Sequence, residues 1–151
     1  MFKRVLPVLL ITDQKLIKTY KFNKRHYVGD PLNAVRVFNE KYVDEICILD
    51  IDANKGSNIN FRLLDQIASE CFMPMSYGGG VSTLQDVEKI ISLGFEKVII
   101  NSNLFNEDFI KSIADKIGSQ SLVISLDIKK NLFGKYTHYL NIVSDFAFVV
   151  I

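Results

Sequence analysis

Five short, largely apolar runs, at residues 5–11, 46–51, 73–77, 97–100 and 122–126, recur along the chain, and each gap between them contains a helical pattern. A run apolar at nearly every position cannot leave one face to water, so it belongs in a sheet covered on both sides, as parallel sheets are. The intervening segments supply the covers. Asp30-Pro31 opens a helix through Leu32, Val35 and Phe38, and Asn60 caps one through Leu63, Leu64, Ile67, Ala68 and Cys71. Leu84, Val87, Ile90 and Ile91 mark a third helix stopped by Gly94. Asn106, Glu107 and Asp108 open a fourth, striped by Phe109, Ile110, Ile113, Ala114 and Ile117 and closed by Gly118. Strands recurring roughly every 25–45 residues between helices predict right-handed βαβ units and an α/β fold.

That rhythm fits a closed barrel or an open doubly wound sheet. Polar residues decide between them, because they fall just beyond several different strand ends: Asp50 and Asp52, Gly78 to Gly80, Asn101 and Ser102, and Asp127. A ring of strand ends is how (βα)8 barrels build sites, whereas open sheets concentrate them at one switch point. With 151 residues and 48% apolar composition, residues 1–151 are expected to form one domain with a real core. A complete barrel takes roughly 250 residues, so the expected architecture is a partial (βα)8 barrel, about the first five βα units, ending in the apolar segment 146–151. Open strand edges then predict poor solubility or association with a second chain supplying the missing half. Segments 14–22 and 134–142 alternate polar and apolar residues and read as β-extensions after strands one and five, a placement that suggests duplicated half-barrels.

Composition removes several functions. Eighteen Lys plus Arg against seventeen Asp plus Glu leave a net charge of +1, with no electrostatic footprint for nucleic acid or an anionic membrane. Lys3 and Arg4 before the run 5–11 imitate a signal peptide, but Pro7 and the following Thr12 to Lys15 make a first strand the better reading. No run approaches membrane-spanning length. Cys47 and Cys71 are separated from each other and from His26 and His138, which fits free thiols in a cytoplasmic protein with no metal and no cofactor. The basic positions Lys15, Lys18, Lys21, Lys24 and Arg25 fit a solvated loop.

The densest local signal is Met75-Ser76-Tyr77-Gly78-Gly79-Gly80, an apolar stretch entering three glycines with a helical pattern after them. Glycines let backbone N–H groups approach an anion at a helix N-terminus, where the dipole also favours negative charge. A tight strand-to-helix turn would need the same residues.

From Arg4 to about Tyr136 the chain resembles the cyclase subunit of imidazole glycerol phosphate synthase, the HisF family. The markers are residues 4–18, Gly29-Asp30-Pro31, Asp44-Glu45 leading into Leu49-Asp50-Ile51, the glycine triplet, residues 97–101, and Gly118-Ser119-Gln120 leading to Asp127. The resemblance implies a ribulose-phosphate-binding (βα)8 barrel that takes ammonia from a glutaminase (glutamine amidotransferase) partner to cleave and cyclise a substrate with two phosphates. It implies phosphate or substrate contacts for Gly79, Gly80, Asn101, Ser102, Asp50 and Lys18, and proton transfer by Asp127. Arg4, Glu45 and Lys97 match members of the charged ring where ammonia enters; an ion-pair network that only seals the barrel floor would use the same residues.

One match fails. Leu10 stands at the end of strand one, where the family carries its other catalytic aspartate, and leucine cannot move a proton. Asp13, Asp50 and Asp52 are the candidate substitutes, yet a misplacement of ~1 Å at a catalytic group costs about a hundredfold. The stretch Val8-Leu9-Leu10 and the segment Tyr27-Val28-Gly29-Asp30-Pro31 resemble HisF-like paralogues associated with surface-polysaccharide synthesis. That similarity implies amidination of a sugar in preference to histidine biosynthesis. A histidine-pathway cyclase (a lyase) and a truncated, non-catalytic fragment acting through a partner are the alternatives.

Overall fold

A computed structural model describes residues 4–20, 24–53, 58–130, 136–138 and 147–150. In chain order the strands are β1 (Val8–Thr12), β2 (Lys15–Tyr20), β3 (Lys24–Gly29), β4 (Ile46–Asp50), β5 (Met75–Gly78), β6 (Lys97–Ile100), β7 (Leu122–Lys130), β8 (Tyr136–His138) and β9 (Ala147–Val150). The helices are α1 (Pro31–Glu40), α2 (Phe61–Glu70), α3 (Leu84–Ser92) and α4 (Glu107–Ile117). β1, β4, β5, β6 and β7 lie side by side and parallel, each pair joined through a helix, so the fold is α/β with a parallel-rich sheet.

The helix starts follow from their caps. Asp30, Asn60 and Asn106 each accept a hydrogen bond from the backbone N–H three residues on, at Asn33 (3.1 Å), Leu63 (3.0 Å) and Phe109 (3.1 Å). Pro31 fills the first turn of α1, where its missing N–H costs nothing. Asn39, in the last turn of α1, donates to the Glu70 carbonyl (2.7 Å) and accepts from the Phe72 N–H (3.1 Å), joining the ends of α1 and α2.

Alternation along the parallel strands sorts the core into two faces. Ile46, Ile48, Tyr77, Val98 and Ile100 point toward the helices and pack with Val35, Leu64, Ile67, Val87, Ile90 and Ile113. Cys47, Ile99 and Val123 occupy the opposite face with Leu6 and Leu49. Cutting any fully buried isoleucine of the first group to alanine would cost about 2–5 kcal/mol.

Several expectations shift. β1 begins at Val8 and not at residue 5, and β5 at Met75 and not at 73. In each case a proline precedes the strand: it has no N–H to give, while its carbonyl accepts from the neighbour, Pro7 from Cys47 (2.9 Å) and Pro74 from Ile46 (2.9 Å). The first β-extension is present as β2, folded back on β1 through Asp13 (φ 46) and Gln14 (φ 61), the left-handed pair of a two-residue hairpin turn. Lys24 and Arg25, expected in a solvated loop, lie in a further strand, β3, antiparallel to β2, which places His26 in a hairpin. Of the second extension, β8 pairs antiparallel with β7, while 134–135 and 139–142 lie outside the described residues. β9, from the apolar closing segment, pairs antiparallel with β7 from Ile124↔Val150 to Asp127↔Ala147.

Candidate functional site

At the C-terminal ends of β4 and β5 two turns are pressed together. Asp50 Oδ1 accepts from the backbone N–H of Asp52 (3.1 Å) and of Ala53 (3.2 Å), curling the chain after β4. Gly79 (φ 131) and Gly80 (φ 68) lie against that curl in backbone conformations that disfavour side chains. A Cβ on Gly79 would fall 2.9 Å from Asp50 Cβ, and one on Gly80 would fall 2.8 Å from Ala53 Cβ. Both glycines are therefore required by the turn itself, whatever else they do. Burial pushes the Asp50 carboxyl above its ordinary value, against the pull of its two backbone donors. Asp50 spends its carboxylate on chain geometry.

The next strand end joins this corner. Asn103 donates to the Val81 carbonyl (3.3 Å), and Asn101 reaches across to the Ser125 carbonyl on β7 (3.1 Å). Ser102 is exposed in the turn between them. The expectation of a helix N-terminus at the glycines changes in detail. α3 starts at Leu84, capped by Thr83, and Asp86 Oδ2 accepts from the N–H groups of Ser82 (3.2 Å) and Thr83 (2.9 Å). Those donors serve the helix's own acid, and the exposed hydroxyl at this corner is that of Ser102.

Around the ends of β1 and β4 the chemistry is different. Leu10 pairs across from Leu49 on one side and Ile17 on the other, an apolar setting with no proton to give. The acid that gathers partners around these strand ends is Asp52. It accepts both guanidinium arms of Arg25, Nη1 at 2.5 Å and Nη2 at 2.7 Å, as well as the Thr12 hydroxyl. Hydrogen bonding to Asp52 raises the Arg25 guanidinium above its ordinary value. Arg25 pairs with Thr19 across the β2–β3 ladder and so shares its face, while Lys18 and His26 share the other. The basic side chain that reaches these strand ends is thus Arg25, on the face opposite Lys18. Asp127 lies within β7, and its side chain is outside the described residues.

At the other end of the sheet, Glu45 accepts from Arg4 (2.6 Å) and from Lys97 (2.9 Å). Glu45 and Lys97 are mostly covered, with 13% and 25% of their side chains exposed, while Arg4 is 67% exposed. Just inside, burial raises the Cys47 thiol, which Ser76 partly offsets by hydrogen bonding. Among the described residues no group of three or more His, Cys, Asp or Glu is arranged to hold a metal ion, and no helix is long and apolar enough to cross a membrane.

Arg25, Thr12, Asn103 and Ser125 are the participants that sequence reasoning missed. Each acts through a partner 22 to 40 positions away in sequence, where no local pattern reaches.

Residues 4–146 match the family of histidine biosynthesis proteins. The chain belongs to that family. Among its relatives are proteins with the provisional name imidazole glycerol phosphate synthase subunit: hisF2 of Pseudomonas aeruginosa, 52% identical over 137 residues, and hisF3 of Vibrio vulnificus, 50% identical over 133. A HisF of Leptospira borgpetersenii is 46% identical over 134 residues. These alignments take in 89%, 87% and 87% of this chain but 55%, 51% and 53% of the relatives, so the chain spans about half their length. The HisF-like character expected from the markers is thereby shown.

Proposed function

We propose that this chain forms the first five strand–helix units of a HisF-like (βα)8 barrel, a single domain that binds a phosphate-bearing ligand and receives ammonia from a glutamine amidotransferase in the cytoplasm. The observation that carries the reading is the glycine corner, where Gly79 and Gly80 lie against the 50–53 turn and the turn holding Ser102 is tied to Val81 through Asn103, in a chain about half identical to hisF-type subunits. Backbone amides and one hydroxyl suit a phosphate, which needs several donors at short range. Asn101 supports the corner by tying β6 to β7, Lys18 supplies diffuse positive charge, and Asp127, expected just beyond its strand but lying within β7, is the acid assigned to proton transfer. At the opposite mouth, Arg4, Glu45 and Lys97 form the polar entrance for ammonia.

Leu10 favours amidination of a surface-polysaccharide sugar over histidine-pathway cyclisation, because the two-acid mechanism lacks one acid. Calorimetric titration of the full chain with inorganic phosphate and with a sugar phosphate tests the ligand. Ser102→Ala should weaken binding about three- to tenfold, the worth of one hydrogen bond. Absence of binding by the unaltered chain would remove the reading's basis.

The second reading, a partner-binding role without chemistry, rests on Leu10, which stands between Leu49 and Ile17 with no proton to give. Activity on mixing this chain with a polypeptide carrying the remaining strands would eliminate it.

A further inference from the structure

Leu16 and Ile17 anchor the first half of β2 in the core, but its outer half and β3 are poorly anchored by the sheet alone. β2 pairs with β1 only from Leu10↔Ile17 to Thr12↔Lys15, so Lys18 to Tyr20 run beyond that ladder, and β3 is an edge strand bonded to β2. Lys24 to Val28 are all exposed. A two-stranded ribbon of this kind is marginal in water without a further contact.

Arg25 supplies such a contact. Its guanidinium grips the Asp52 carboxylate with both arms and lies 3.2 Å from the buried Thr12 hydroxyl. Asp52 is itself held, since its N–H donates to Asp50. We propose that Arg25, Asp52 and Thr12 form a latch that fixes the β2–β3 ribbon across the C-terminal ends of β1 and β4, with Arg25 as the positioning residue. A bidentate, charge-assisted pair is among the stronger polar contacts available and constrains orientation as well as distance. Its side chains are 37% and 23% exposed, so salt weakens it. The latch is built on Asp52, in the same 50–53 turn that Gly79 and Gly80 lie against, so it holds the ribbon beside that corner.

Hydrogen exchange read by mass spectrometry on the full chain tests this without any ligand, so its outcome is independent of phosphate binding. Arg25→Gln and Asp52→Asn should each speed exchange of the amides in 16–20 and 24–29 about tenfold, leaving α3 unchanged. Arg25→Lys, which keeps charge but loses the fork, should give a smaller increase. The exchanged pair Arg25→Asp with Asp52→Arg should restore protection. Added sodium chloride should loosen the same amides in the unaltered chain. Unchanged exchange in both single variants would overturn the proposal, as would equal acceleration in α3, which would make the ribbon part of the global unfolding unit.

Discussion

At the C-terminal ends of β4 and β5 the contact is backbone on backbone, with Gly79 and Gly80 laid against residues 50–53. At the N-terminal ends of β4 and β6 it is side chain on side chain, with Glu45 between Arg4 and Lys97. The first arrangement leaves no room for a single added carbon. The second tolerates change unevenly, since one of its members faces water and the others do not. An end built from glycines fails all at once, while one built from charges fails by degrees.

The sharpest way to break that contrast is Gly79→Ala, which combines a left-handed backbone with a collision at Asp50. It should cost about 3–5 kcal/mol in urea unfolding, and a cost near that of a surface substitution would refute the description of the corner. Glu45→Ala comes next at about 2 kcal/mol, because it strands the covered Lys97 ammonium. Arg4→Ala should cost under about 1 kcal/mol, as exposed pairs do, and equality of the two would erase the gradation.

Tyr77, on β5 below the corner, tests the packing itself. It is fully buried edge-on to Phe95, and its hydroxyl has no hydrogen-bond partner among the described residues. Tyr77→Phe should therefore raise stability by about 1 kcal/mol, visible as a higher Tm, whereas a drop would reveal a partner for the hydroxyl.

The smallest effect is a pH dependence from Asp50. Its folded value lies above the ordinary 3.8, so the group binds its proton more tightly when folded. Its contribution is then full below pH about 4 and is lost as pH rises through the raised value. Comparing the stability of the unaltered chain with Asp50→Asn between pH 3 and about 6 isolates this term, because the amide keeps an acceptor oxygen but does not titrate.

What was legible in the sequence tracks how local each signal is. Asp30, Asn60 and Asn106 bond to groups three residues away, so those helix starts could be read directly. The apolar runs gave the parallel strands, with departures at the starts where Pro7 and Pro74 delay pairing and at the end of β7, which runs four residues past Leu126 to Lys130. β3 escaped because Lys24, Arg25 and His26 look like a solvated loop until Arg25's partner, 27 positions on, is known. The Thr83 and Asp86 capping box is local and was overlooked because the glycines drew the helix start toward themselves. Juxtaposition of Arg4, Glu45 and Lys97 was visible only through family resemblance, since no periodicity links positions so far apart.

The amide of Asn39 sets a rule for insertions and deletions. Adding or removing one residue within α1 turns this side chain by about 100° around the helix axis. Both of its bonds, to the Glu70 carbonyl and the Phe72 N–H, would then be lost together. Changes in chain length on this flank are therefore expected in the connections that follow α1 and α2, with the ten-residue span of each helix kept constant.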